Sequence, residues 1–521
     1  MALRILCTWF SLFLPLLLLL LVKSFHGKNK TATKTMTMTT KQRKKNLPPG
    51  PPPLPIIGNL HQLGHLPHQS LWELSRRYGP VMLIHLGCVP TVIISSPSAA
   101  REVLKTHDLN CCNRPRLLST GRLTYDHLDI AFTEYGDYWR ELRKLCLLKL
   151  LSAKRVQSFR YVREEEVGSM IESIAKSAES GTLVDMKEKF MALTVSITCR
   201  VAFGTAFPWM EFKDGRFMDM IREAMAMLGS FSASDAFPRF GWIVDRFTGL
   251  HSRLEKSFRS MDVFYQKVID EHRNTNKRNE EEEDIVDLLL KMERDQTELA
   301  TVPLQEDNIK AILMDIFLAG VDTGALVMDW TMAELARNPK AMRKAREEIQ
   351  SCVGNKKWVD EDDLHGLKYL KLLLKEAMRL HPPNVLLVPR ETMGHFKLFG
   401  YDIDPKTRIQ VNVWGIGRDP NLWESPEEFV PERFEGSPID YKGNHFELLT
   451  FGAGRRICPG ISMGMAVVEL ALANVLHSFD WKLPEGMTEK DVSMEEGAGQ
   501  TVFKKVPLTL LPVKPSPETD A

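Results

Sequence analysis

Phe451-Gly-Ala-Gly-Arg-Arg-Ile-Cys458-Pro-Gly460 is the stretch on which the reading of this 521-residue chain turns. Its fixed positions, F-x-x-G-x-R-x-C-x-G, occur by chance in on the order of one chain in ten thousand at average residue frequencies. Gly452 and Gly454 permit a tight hairpin and leave no side chains beside the cysteine, so a flat cofactor can lie against the backbone. Arg456, two residues before the sulfur, can offset a thiolate's charge and pair with a cofactor carboxylate. Pro459 suits the first turn of a following helix, whose N-terminal amides favour thiolate over thiol. The plainer alternative is a buried cysteine in a β-bulge before a packed helix.

Working outward, a long helix is predicted from just after Pro303 to Asn338-Pro339, on the order of thirty residues and roughly 45 Å. Its middle, residues 311–328, is apolar enough to suggest a membrane span. It also carries Asp315, Asp322 and Thr323, and carboxylates are expensive in lipid, so a buried central helix is the expectation. Strands are expected at Val81–Leu86 and at residues 90–95, broken by Gly87, with further short apolar stretches in 397–413. Helix signals dominate elsewhere, and the charged tract 272–284 reads as a solvated loop between helices.

Residues 5–22 are almost wholly apolar, about the length needed to cross a bilayer as a helix. Lys23, Lys28, Lys30, Lys34, Lys41, Arg43, Lys44 and Lys45 follow that run, against Arg4 alone before it, a bias that keeps the following chain cytosolic. A cleaved secretory signal is the competing reading, without a convincing small-residue cleavage site. The expected organisation is an anchor at 1–23, a basic and proline-rich linker at 24–59, and one catalytic domain at 60–521. Within the linker, Leu47-Pro-Pro-Gly-Pro-Pro-Pro-Leu-Pro-Ile-Ile-Gly58 is short of amide donors and reads as a stiff spacer. A net charge of +1 argues against a nucleic-acid partner. Eight scattered cysteines, with only Cys111 and Cys112 adjacent, predict neither a structural disulfide nor a zinc site.

The cysteine loop resembles the haem-ligand loop of the cytochrome P-450 monooxygenases, in which a cysteine thiolate is the proximal iron ligand and pushes electron density toward O–O cleavage. The resemblance makes Cys458 the axial ligand of the iron of haem b, with Phe451 in the loop against the ring. Ala319-Gly320-Val-Asp322-Thr323 resembles the family's oxygen-binding stretch. Ala319 and Gly320 then leave room for dioxygen, while Thr323 and Asp322 relay protons through water. The Thr323 hydroxyl can bond back to an i−4 carbonyl or point into the gap. Gly324 departs from the pattern, standing where many members carry another hydroxyl residue. Trp139-Arg-Glu-Leu-Arg143 resembles the family's W-x-x-x-R helix. Trp139 and Arg143, with Arg456, are therefore expected to clamp the haem propionates through an indole N–H and guanidinium groups, and Arg390 matches a further propionate-binding position. Glu376 and Arg379 form an E-x-x-R pair that by spacing alone is an ordinary helix ion pair. With Arg433 of Pro431-Glu-Arg-Phe434, they resemble a buried network behind the haem loop.

The resemblance runs from the anchor to Pro507, and its wording is similar to the plant A-type clan, particularly the seventy-one family. It implies a mainly α fold with small β-sheets, the triangular prism of cytochrome P-450, behind an N-terminal transmembrane helix. The implied location is the endoplasmic reticulum membrane, single-pass, with the catalytic domain cytosolic. The implied activity takes electrons from NADPH through NADPH–cytochrome P-450 reductase, with cytochrome b5 as a further partner. One atom of O2 enters a hydrophobic small molecule, a plant specialised metabolite such as a terpenoid, alkaloid or phenylpropanoid. Arg140, Lys144 and Lys149 are the expected dock for an acidic reductase surface. Substrate contacts are expected from segments 116–129, 207–240, 313–323, 384–388 and 499–502, with Leu313, Phe317, Val321, Val385, Leu386, Leu387 and Thr501 as pocket walls. The alternatives are an atypical P-450 that dehydrates or rearranges its substrate, such as aldoxime to nitrile, and a non-catalytic haem-binding membrane protein.

Overall fold

The computed structural model describes residues 45–204, 216–274, 283–295 and 303–514. The expected membrane anchor and most of its basic flank lie outside them. Contacts divide the chain into two units, Met1–Asn46 and Leu47–Ala521, and the second carries the fold. That unit takes in the proline-rich run expected as part of the linker. Proline cannot donate a hydrogen bond, but its carbonyl accepts one. Leu83 N–H accordingly bonds to Pro49 O at 2.8 Å, and Asn59 N–H bonds to His85 O at 2.7 Å. At Gly50 a Cβ would stand 1.9 Å from Leu83 O, so the proline-rich run lies flat along a strand.

That strand, β1 (Val81–Leu86), pairs antiparallel with β2 (Val89–Ile94), from Val81 opposite Ile94 to Leu86 opposite Val89. Two short strands complete the sheet, β3 (Arg390–Glu391) and β4 (Arg408–Val411), in the order β1-β2-β4-β3. Smaller pairings close the rest, among them the hairpin of Glu496–Gly497 with Phe503–Lys504.

Helices make up most of the body, and five position the site: α1 (Asp137–Leu145), α2 (Met186–Phe203), α3 (Glu306–Arg337), α4 (Lys368–Leu380) and α5 (Ile461–Ser478). The 32 residues of α3 span about 48 Å. Gln305 and Asn308 cap its start reciprocally, and it stops at Asn338 before Pro339, where a helix ends for lack of a following amide donor. It packs against α2, α4 and α5. Both α3 and α5 are long and apolar enough to cross a membrane, yet most of each apolar window is inside the body. Core packing, and not lipid, accounts for their composition.

Of the charged tract at 272–284, expected as a solvated loop, only the two ends are among the described residues, and they pack inward. His272 and Asp284 are both buried, with His272 Nε2 3.0 Å from Asp284 Oδ2. Asp284 also accepts the Asp287 N–H at 2.9 Å, at the start of the helix Ile285–Asp295. A capping carboxylate thus draws the ends of the tract inward; residues 275–282 lie outside the described residues.

Candidate active site

Cys458 lies three residues before α5, in a loop whose glycines do what their positions demand. Gly452 and Gly454 have φ of 69° and 71°, the left-handed region, and a Cβ on Gly454 would meet Leu104 O at 2.1 Å. The Cys458 N–H closes the turn on Phe451 O at 3.0 Å. Burial pushes the Cys458 thiol up, while the Gly460 amide and the Arg143 guanidinium favour the thiolate. Cys458 is nevertheless half-buried, unlike the fully buried Cys111, Cys112, Cys146 and Cys199. The middle of α3 is likewise open: Ala319 and Gly320 are exposed although Phe317, Leu318 and Val321 on either side are buried.

Four arginines gather around this loop. Arg143, half-buried on α1, bonds to Ile457 O at 2.5 Å. Arg390 pairs with Asp108 at 2.8 Å and reaches Ala453 O at 2.9 Å. Arg456 donates to three carbonyls, those of Cys112 (2.9 Å), Ile130 (3.2 Å) and Thr133 (2.6 Å). Arg114, which the sequence reading did not single out, donates to Ala131, Val388 and Pro389 carbonyls at 2.7–2.8 Å. Burial pushes Arg456 down to about 10, and the like charges of Arg390 and Arg143 act in the same direction. Burial also lowers Arg114, assisted by Arg456 and Arg390. Of the four, Arg390 alone has a close carboxylate partner here, so anionic groups entering the cluster would relieve its repulsion. The donor set fits the two carboxylates of a haem.

The Trp139 indole differs from its expected role. Its N–H donates to Ile130 O at 3.0 Å, and the Arg456 guanidinium sits 4.1 Å over its ring. Trp139 thus holds the arginine that would meet a propionate, because a buried indole N–H takes the nearest carbonyl.

On α3 the Thr323 hydroxyl bonds back to Ala319 O at 2.8 Å, the first of its two expected arrangements. Asp322 turns to the hairpin, where its Oδ2 accepts from the Thr501 hydroxyl. Burial pushes its carboxyl up, opposed by that bond and by Lys187. Thr501 is therefore the carboxylate's polar partner, not simply a pocket wall. Gly320 also has a reason beyond room for dioxygen: a Cβ there would come within 3.0 Å of Thr198 Oγ1 on α2.

A Cytochrome P450 family model matches residues 48–511. The chain belongs to the cytochrome P-450 family. It is 53% identical over 470 residues to Cytochrome P450 71B10 of Arabidopsis thaliana, covering 90% of this chain and 93% of that one. Cytochrome P450 71B34 of the same plant is 53% identical over 467 residues, with the same two coverages. A zebra fish cytochrome P450 solved with abiraterone shares the fold, with a TM-score of 0.72 at 24% identity over 87% of this chain and 100% of that chain. The chain is thus a haem-thiolate monooxygenase, mainly helical with small sheets.

In this P-450, Glu376, Arg379 and Arg433 come together behind the loop. Arg379 grips Glu376 bidentately, both bonds at 2.8 Å, and Arg433 Nε reaches Glu376 Oε1 at 2.9 Å. The remaining guanidinium donors serve carbonyls of the stretch 417–428. Thr450, just before Phe451, bonds to Met378 O on α4 at 3.3 Å. Among the expected pocket walls, Leu313, Phe317 and Val321 are fully buried. Phe317 packs 5.6–6.0 Å from Phe203, Phe217 and Phe264, so it belongs to an aromatic core and departs from the wall expected of it. Val385 is buried too, whereas Leu386 and Leu387 keep accessible surface. Leu387 stands 3.9 Å from where a Gly452 Cβ would be.

Proposed function

We propose that this P-450 is a membrane-seated, reductase-dependent enzyme of plant specialised metabolism that inserts one atom of dioxygen into a hydrophobic small molecule. One observation carries the reading: Cys458 and the Ala319–Gly320 stretch keep accessible surface in an otherwise buried core, on elements joined by the packing of α3 on α5. Haem bound through the Cys458 thiolate supplies the oxygen chemistry. The protein's own part is to hold, orient and protonate. Arg143, Arg390 and Arg456 hold the propionates, and the Gly460 amide and Arg143 stabilise the thiolate. Glu376, Arg379 and Arg433 keep the loop in place from behind. Thr323, with its proton committed to Ala319 O, offers its lone pairs to water and so orients the water that carries protons. Asp322 is the acid behind it, and apolar Leu386 and Leu387 exclude bulk water.

A membrane seat is supported by Phe231, Phe240, Trp242, Ile243, Val244 and Phe247, all exposed, with Phe247 at 89%. Such a cluster is costly in water and favourable at a lipid interface. Exposed Arg140, Lys144 and Lys149 suit electrostatic steering of an acidic reductase or of cytochrome b5. The deciding experiment supplies microsomes carrying this protein and a plant reductase with terpenoids, alkaloids, phenylpropanoids and aldoximes under isotopically labelled dioxygen. A product with one labelled oxygen, formed only with NADPH, is expected. A product without label would replace this reading with dehydration or rearrangement.

A further inference from the structure

Asp329 is a further buried carboxyl group on α3, to which the reading above gives no task. Its residue exposes no surface, and neither carboxylate oxygen has a hydrogen-bond partner. An orphaned carboxyl in a protein core calls for water or for a bound proton. Asp329 follows Asp322 by two helical turns, about 10 Å, so both project from one face of α3. Lys187, in the first turn of α2, acts on both carboxyls. It is half-buried, its ammonium 4.5 Å from the centre of the Phe503 ring.

The hairpin Glu496–Gly497 with Phe503–Lys504 covers this face. Thr501 holds Asp322, Trp330 Nε1 donates to Val502 O at 3.3 Å, and the buried Lys504 ammonium bonds to Ser493 O. The charged groups facing Asp329 are Lys504 from the hairpin and Lys187 and Asp185 from the start of α2. On the intervening turn of α3 stand Ala325 and Leu326, so no polar side chain of that turn links the two carboxyls.

We propose that Asp329 is the proton-supply residue for Asp322, fed through a hydrated seam between α3 and the hairpin that opens beside Lys187. The proton that leaves the Asp329 carboxyl passes through water to the Asp322 carboxylate, and Asp329 takes its replacement from solvent. Only O–H bonds break and form, and no electrons move. Burial pushes Asp329 up to about 7, against the pull of Lys504 and Lys187, so both protonation states are populated near neutrality, as a relay requires. Asp329 acts through Asp322 and Thr323, so the inference rests on the monooxygenase reading.

The first test needs no turnover. Infrared difference spectra of the haem-loaded protein, recorded between about pH 6 and 8, are expected to show a carboxylic acid band that fades as pH rises. Asp329→Asn removes that band. The second test runs NADPH-driven turnover with a plant reductase and no added substrate. Asp329→Asn is expected to raise the ratio of hydrogen peroxide to water formed from O2 on the order of tenfold, because protons arrive late. Asp329→Glu brings the ratio back toward wild type. No titrating band in the wild type, or an unchanged ratio in the Asn variant, overturns the relay. A wild type that shows the band but consumes no O2 with NADPH and reductase overturns the monooxygenase reading instead.

Discussion

Glu376 on α4 and Asp329 on α3 are both wholly buried carboxylates, and the protein treats them in opposite ways. Glu376 receives two bonds from Arg379, one from Arg433 and one from the Val430 amide. Asp329 receives none. A fully paired buried charge fixes geometry, because moving any member strands the others. A carboxyl without partners fixes nothing and can exchange its proton. Charge behind the haem loop is thus arranged for rigidity, and Asp329 on the central helix for titration.

The largest effect should come from breaking the rigid side. Arg379→Ala leaves Glu376 buried with its main partner gone and is expected to cost about 3–5 kcal/mol. Thermal unfolding and haem content measure it, and a variant that retains full haem content at wild-type stability would erase the contrast. Asp329→Asn should do the reverse, with a pH signature. Its carboxyl lies at about 7, up from 3.8, so the folded state binds the proton more tightly than the unfolded state does. Wild-type stability therefore falls as pH rises from about 4 to about 7, a loss the Asn variant escapes. The variant's Tm should exceed that of the wild type at pH 8, by at most about 4 kcal/mol in stability, and should match it near pH 4. A pH-independent difference would mean that Asp329 keeps its charge when folded. The smallest effect is a matter of space. Gly320→Ala brings a methyl within 3.0 Å of the Thr198 hydroxyl, costing about 1 kcal/mol by overpacking, and Thr198→Ala should relieve it. Failure of that rescue would place the need for Gly320 on the other side of α3, toward the oxygen site.

What could be read without the structure was local. The bounds of α3 follow from Pro303 at one end and Asn338-Pro339 at the other, and the strands β1 and β2 from β-rich runs broken at Gly87. The Glu376–Arg379 pair follows from helical spacing. The haem loop, with its two left-handed glycines, is written in ten consecutive residues. Partners distant in sequence were not legible. Arg456 finds its three carbonyls more than 320 residues away, and nothing near Arg114 signals that it joins the same cluster. Phe317 has the right position for a pocket wall, yet three phenylalanines from other helices claim it. The proline-rich run looked like a spacer because missing donors are visible in sequence and accepting carbonyls are not.

By itself the sequence determined the family, the central helix, and the cysteine and helix residues proposed for the iron and oxygen sites, since each depends on neighbours within a turn or two of chain. The tertiary structure alone decided which of those polar groups are satisfied. Hydrogen-bond saturation of Glu376, the diversion of the Trp139 N–H to a carbonyl, the tie between Thr501 and Asp322, and the isolation of Asp329 all depend on groups brought together from far along the chain. In a core where unpaired charge costs several kcal/mol, that assembly separates a carboxylate that braces the fold from one that can move a proton.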